Sequence, residues 1–441
     1  MSATKSSLGN FATKLAIYPI GFFSSIIVAR ILGPEDRGIY TYLLLLTSFI
    51  FPIFTFGLTS GIIYFISSKE YVAKDIWYTV FMTALFFGLS ISCLLTLLWH
   101  FKVLGETAKS IGGFEFFMLI GSIMTSSIFY FISRMLTGDS KFAGLNWLTI
   151  VQGLLNPILL LCLVWVLDLK IKGASLSIFL MNLICGILII IYSLKLYQPV
   201  LDFNREFIKK SFSYGLKGWL GDMAVRANIR LDQVILGAVA SPALLGIYGI
   251  SVLLVELIWV IPDSIGPVLF NRIAAEQDPK ERINITIKMN RTLLYISTFV
   301  GLGLALVSYY IIIPLGYGQA YSGAIVPLLI LIPGSVLFII AKVTTKLLSG
   351  SGHIAATSTA MVVGSTITII LYFILIPKYD IIGAALASSL GYVAVSAACL
   401  YQYHKHFRKD LSSLFLFRMD DFIWIKTILF SQVKKLETQV V

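Results

Sequence analysis

The chemistry in this sequence is concentrated in one stretch, Lys217 to Gly237, which is long and apolar enough to cross a membrane yet carries Lys217, Asp222, Arg226, Arg230 and Asp232. A Lys, Arg or Asp near the bilayer centre costs about 2.5–3.5 kcal/mol on insertion scales, so these groups must pair or face a watery cavity. On a helix, Asp222, Arg226 and Arg230 follow one another at i, i+4 and i+8 and line one face. Asp222 can neutralise Arg226, but the two arginines repel unless an anion sits between them. Asp232 points away from Arg230, because two helical residues rotate about 200°, and it needs a separate partner. A cationic face inside a membrane is suited to an anionic ligand, and Arg in particular to phosphate, which its planar fork can grip with two hydrogen bonds. The structural alternative is that these charges only tie neighbouring helices together.

The surrounding chain dictates the setting. It has 441 residues, 58% of them hydrophobic and 13% charged, with a mean hydropathy of +0.89. The apolar residues come in long runs, which predicts an all-α polytopic membrane protein and excludes a transmembrane barrel of short alternating strands. Twelve spans are predicted, near 8–32, 39–66, 76–100, 114–136, 142–167, 171–194, 212–238, 243–270, 290–314, 322–348, 354–376 and 381–403. The first run lacks a small-x-small cleavage site and reads as a retained span. The polar stretch 271–290 reads as a surface extension of span eight, and the basic tail as lying on the inner membrane surface. The loops on the N-terminal side hold roughly twice the Lys and Arg of the opposite loops, which places both termini in the cytoplasm. The net charge of +12 is accounted for by these loops and the buried cations, with no nucleic-acid partner implied. The four cysteines lie in apolar runs and suggest neither disulfide nor metal site.

The chain also repeats itself. Pro34-x-x-x-Gly38-Ile-Tyr40 returns as Pro242-x-x-x-Gly246-Ile-Tyr248, Leu136-Thr-Gly138 as Leu348-Ser-Gly350, Gly173-Ala174 as Gly383-Ala384, Pro52 as Pro262, and Lys14 as Lys217. Every offset is close to half the chain. Six spans per half is an even number, so both halves enter the membrane the same way, as two six-helix lobes related by a pseudo-twofold axis along the membrane normal, around a central cavity. The predicted division is 1–204, 205–404 and a tail at 405–441.

The sequence resembles an oligosaccharide flippase of the Wzx type, in the multidrug/oligosaccharidyl-lipid/polysaccharide exporter superfamily. The residues that carry the likeness are Ala29-Arg-Ile-Leu-Gly-Pro34 with Gly38-Ile-Tyr40, then Asn228-x-Arg230-x-Asp232-Gln233-x-Ile235-Leu236-Gly237, and Ile382-Gly383-Ala384-Ala385. The resemblance implies transfer of an undecaprenyl-pyrophosphate-linked oligosaccharide from the cytoplasmic to the periplasmic leaflet of a bacterial inner membrane, for O-antigen or another surface polysaccharide. It also implies alternating access by a monomer, with membrane lipids and other polysaccharide assembly proteins as partners. The residues fit that chemistry: Arg226 and Arg230 as the pyrophosphate pair, with Lys217 and Lys14 nearer the cytoplasmic mouth. Asp222, Asp232, Glu256 and Asp263 are the candidates for charge balance or for coupling to H+ or Na+. No other cofactor is expected. Lys342 and Lys346, one turn apart, read as interfacial, Arg30 as an interface anchor, and Gly57-x-x-x-Gly61 as a close helix contact or a kink after Pro52.

No P-loop, nucleophile elbow or HExxH is present, so the expectation is a transporter and not an enzyme. Two other functions compete. A drug-cation antiporter of the same superfamily would want an acidic or apolar cavity, and a membrane-embedded polymerase would want a large loop bearing a catalytic acid.

Overall fold

A computed structural model describes the backbone of residues 3–416 and the side chains of 19–416. Among the described residues every regular element is a helix. Twelve helical passes follow the predicted spans. They are α1 (3–32), α2 (34–67, broken at 55–57), α3 (Ala73–His100), α4 (Gly113–Gly138), α5 (Phe142–Val166) and α6 (Lys170–Tyr197). The second set is α7 (Arg205–Val239), α8 (Pro242–Ala275), α9 (Pro279–Tyr317), α10 (Gln319–Gly350), α11 (354–379) and α12 (381–407). Nine long apolar helices among the described residues could cross a membrane by length and composition. Two of these are continuous runs that turn at a single non-helical residue, Gly33 or Asp380. The charged α7 is not among the nine.

Proline and backbone chemistry set the corners. Gly33 takes φ +71, which costs glycine little, and Pro34 then opens α2 with its φ already helical. Pro242 opens α8 in the same way after Ser241. The stretch predicted to extend span eight does not do so. Helix α8 stops at Ala275, Asp278 caps a new helix by accepting from the Lys280 amide at 2.9 Å, and Pro279 begins α9. An Asp-Pro step is a helix start, and that local signal overrides the amphipathic continuity.

The bundle has a near face, where α1 begins, and a far face at the α1–α2 corner. Helices α3–α6 pack among themselves and on α1–α2, and α9–α12 pack chiefly on α7–α8 and one another. The contacts between the two sets run mainly through α1 and α2 against α7 and α8. At the far face the repeated motif meets itself. A β-carbon at Gly38 would lie 2.5 Å from the carbonyl carbon of Pro242, and one at Gly246 would lie 2.8 Å from the Gly38 amide and 3.1 Å from the carbonyl carbon of Pro34. Only glycine permits that approach. At the near face Gly57 sits against Gly215 and Gly61 against Ser211 just as tightly. Gly57 also has φ +76 at the break in α2, so this GxxxG is both a close contact and the kink. The break releases the Pro52 carbonyl, which accepts the Trp219 indole N–H at 3.1 Å.

Candidate functional site

Helix α7 presents its charges to four different surroundings. At the near end Lys217 is exposed and makes no hydrogen bond or ion pair among the described residues. It lines a shallow pocket with Glu70, Glu206, Lys209, Lys210 and Tyr214. There Lys210 bonds Glu70 at 2.8 Å and Glu206 at 3.0 Å, and Tyr64 stacks on Tyr214 with centroids 4.1 Å apart. These contacts close the near face between α2 and α7.

Two turns deeper, Asp222 and Arg226 line a cavity of about 100 Å³. Its walls are the kinked part of α2 (Pro52, Thr55, Gly57, Thr59, Ser60), Tyr130 and Arg134 of α4, and Trp219 and Met223 of α7. The space holds several waters or one phosphate-sized group, since liquid water takes about 30 Å³ per molecule. Asp222 is exposed and Arg226 half-buried. Both Arg226 and Arg134 act electrostatically on Asp222, but neither comes within ion-pair distance of it. The i, i+4 spacing therefore puts Asp222 and Arg226 on one wall without joining them. Nothing in the sequence singles out Arg134 as a cavity residue. It lies over the Tyr130 ring, 5.2 Å from the centroid, with its Nε buried and unpartnered.

Arg230 is engaged elsewhere. Its Nη1 lies 2.9 Å from Glu256 Oε1 on α8, and its Nη2 donates to Oε2 at 3.3 Å. The structure thus pairs one of the two arginines expected to share a pyrophosphate, and leaves Arg226 without a protein partner among the described residues. Asp263 likewise bonds Lys342 at 2.6 Å, and the Lys342 ammonium sits 4.6 Å over the Trp259 ring. Lys342 is therefore an ion-pair partner whose ammonium also lies 5.6 Å from the Phe338 ring centroid. Arg30 likewise does more than anchor at an interface. It donates to the carbonyls of Leu315 and Gly316 at the end of α9.

Asp232 makes no ion pair among the described residues, and hydroxyl and amide donors satisfy it instead. It is 1% exposed and accepts from Tyr248 Oη at 2.6 Å, Ser388 Oγ at 3.1 Å and its neighbour's amide, Gln233 N, at 2.7 Å. Tyr372 extends the network to Ser388 at 3.1 Å, and Asn228 donates to Thr368 at 2.9 Å one turn away. Tyr248, which closes the repeated motif, is thus a ligand to a carboxylate that its spacing did not announce. The side chain of Lys14 lies outside the described residues. Beyond His404, the described part of the tail packs on α9, where Asn290 donates to the Leu414 carbonyl at 3.1 Å and Arg291 to that of Ser413 at 2.6 Å. The tail from 417 onward lies outside the described residues.

The chain has the fold of a transporter of the multidrug/oligosaccharidyl-lipid/polysaccharide exporter superfamily. It is similar to the lipid II flippase MurJ in an inward closed conformation, with a TM-score of 0.69 and 16% identity over 94% of this chain and 89% of that one. A superfamily transporter from Pyrococcus furiosus aligns with a TM-score of 0.61 and 14% identity over 92% of this chain and 96% of that one. An inward-facing multidrug resistance transporter of the MATE family aligns at 0.62 and 16% over 92% and 95%. The description "polysaccharide biosynthesis protein" matches residues 27–326, and the chain belongs to that family. An uncharacterized membrane protein of Methanocaldococcus jannaschii is 22% identical over 286 residues, which span 62% of this chain but only 56% of that protein's length.

Proposed function

We propose that this protein is a flippase that moves an undecaprenyl-pyrophosphate-linked oligosaccharide from the cytoplasmic to the periplasmic leaflet of a bacterial inner membrane. The observation that carries this reading is the cation-rich wall of α7, where, among the described residues, neither Lys217 nor Arg226 has an ion-pair partner and Arg226 lines the cavity at the α2 kink. An uncompensated guanidinium inside a bilayer calls for an anion, and pyrophosphate supplies one on a lipid whose tail stays in hydrocarbon. The near face is then cytoplasmic, with both termini inside. Residues 1–204 and 205–404 act as the two moving halves of a monomer, opening alternately to each side. Paired Arg230–Glu256 and Lys342–Asp263 balance charge, and Asp232 is the group whose protonation or Na+ occupancy couples transport.

Deleting the gene and measuring undecaprenyl-linked oligosaccharide on the cytoplasmic leaflet tests the reading. Accumulation that the restored gene clears is the expected result. A deletion that leaves the lipid pool unchanged but alters resistance to cationic drugs would overturn it in favour of the antiporter, which the buried Asp232 and the fold of the multidrug transporters would then serve.

A further inference from the structure

On the far face, the turn that joins α3 to α4 encloses a pocket of about 510 Å³, within the size range of ligand sites and too large for a lone ion. Its walls include Trp99, His100, Lys102, Leu104, Lys109 and Ile111. Helix α3 has 28 residues and so is about 42 Å long, against a hydrocarbon core of about 30 Å. Its two ends therefore stand in the headgroup layers. We propose that this pocket holds the phosphate headgroup of an anionic phospholipid in the far leaflet, with Lys102 as its principal cation. The site lies at the opposite end of the bundle from the cavity at the α2 kink, and nothing in it depends on what the protein carries.

Four observations carry it. The first is charge. Lys102 is exposed and makes no hydrogen bond or ion pair among the described residues, and no described carboxylate lines the pocket. Lys109 pairs with Glu106 at 2.6 Å, but both partners are half exposed, so its ammonium is readily shared with an anion. His100 supplies an N–H in either charge state, and Trp99 is held as a flat wall by Phe116, with centroids 4.2 Å apart. The second is the backbone. Lys102 sits at φ +57, in the Schellman turn that ends α3, where its amide donates to the Trp99 carbonyl and that of Val103 to Leu98, each at 3.0 Å. Glycine takes that position most easily, so a lysine there points to a use for its side chain. The turn also ties up carbonyls at the end of α3 that would otherwise repel an anion. Third, the pocket is preformed. Tyr42 Oη donates to the Leu104 carbonyl at 2.7 Å, and a β-carbon at Gly105 would lie 2.8 Å from the Ala238 carbonyl carbon, so α2 and α7 pin the floor. Fourth, Lys102 and Leu104 line the pocket while Phe101 and Val103 are 69% and 66% exposed. Such apolar residues at the end of a span suit acyl chains beneath a headgroup, and a soluble phosphate has no use for them.

The test uses the full-length protein in detergent micelles and counts bound molecules by native mass spectrometry. The probes are dioleoyl phosphatidylglycerol, dioleoyl phosphatidylcholine, and glycerophosphoglycerol, which is the anionic headgroup without its chains. Phosphatidylglycerol should fill one site ahead of all others, and the other two probes should not compete for it. Lys102→Gly should weaken that site about fivefold, the worth of one basic residue at an anionic leaflet. Glycine is at home in the turn, so this variant should be at least as stable as wild type, and its loss of binding is not a loss of fold. Lys102→Glu should weaken the site further. Lys74→Ala removes the same charge from the exposed near end of α3 and should leave the site unchanged. Phosphatidylcholine bound as tightly as phosphatidylglycerol would refute the anionic headgroup. Glycerophosphoglycerol bound as tightly as the lipid would make the ligand a soluble phosphate. A Lys102→Gly variant that binds like wild type, or a Lys74→Ala variant that loses as much as Lys102→Gly, would remove the pocket as the cause.

Discussion

Replacing Gly38 or Gly246 by alanine should damage the far-face seat, and the two replacements should not add. A methyl carbon at Gly38 would stand 2.5 Å from the Pro242 carbonyl carbon, and one at Gly246 2.8 Å from the Gly38 amide. Carbon atoms rest at about 3.5–4.0 Å, so either methyl must push α2 and α8 apart by roughly 1 Å. Overpacking of this kind costs about 1–3 kcal/mol, against which alanine returns at most about 1 kcal/mol of helix propensity. Each single variant should therefore lose about 1–2 kcal/mol. Once one methyl has parted the helices the other occupies space already opened, so the double variant should fall within about 0.5 kcal/mol of the worse single one, far from the sum. Gly218→Ala is the control, because nothing lies within 4 Å of the added carbon. It should be neutral or slightly stabilising. SDS-driven unfolding in mixed micelles, followed by tryptophan fluorescence, reads all four proteins. Additive losses, or a Gly38→Ala variant as stable as Gly218→Ala, would refute the shared seat.

Three further outcomes follow from the charged groups. Arg230→Glu and Glu256→Arg should each impair folding or insertion, and the swapped double variant should recover most of the yield, because the pair is held at 2.9 Å with neither partner fully buried. Tyr248→Phe removes a donor from Asp232 and should cost about 0.6–1.7 kcal/mol, the range for interhelical hydrogen bonds in bilayers, by the same unfolding assay. Lys210→Ala, which cuts an exposed link between α2 and α7, should change stability by less than about 1 kcal/mol, yet lengthen the 64–214 separation read by spin labels.

The passes were legible because each is a long apolar run, and their corners because Gly33-Pro34 and Ser241-Pro242 announce themselves. Asp278-Pro279 announced a start too, but the amphipathic pattern on either side of it reads as one helix until the cap is weighed. The charges on α7 were visible and their partners were not. Glu256 lies 26 residues from Arg230 and Ser388 lies 156 from Asp232, and only packing brings them together. Helical spacing located Asp222 and Arg226 on one wall, but spacing fixes a direction and not a side-chain conformation, so it could not say that they stay apart. Arg134 was hidden for a different reason. A cation near a helix end looks the same in sequence whether it turns out to solvent or in over a tyrosine.

The far-face seat also has a meaning for ancestry. Proline carbonyl and motif glycine each supply half of a contact whose other half is the same pair from the opposite copy, which is the definition of an isologous interface. A six-helix polypeptide bearing one copy of Pro-x-x-x-Gly-Ile-Tyr would already carry both surfaces needed to dimerise with itself. Joining two such genes end to end requires no invention at the interface, only a linker. What fusion adds is licence for the copies to diverge, so that one tyrosine, Tyr248, could become a partner of a buried carboxylate while its counterpart Tyr40 accepts from Asn156 at 3.3 Å.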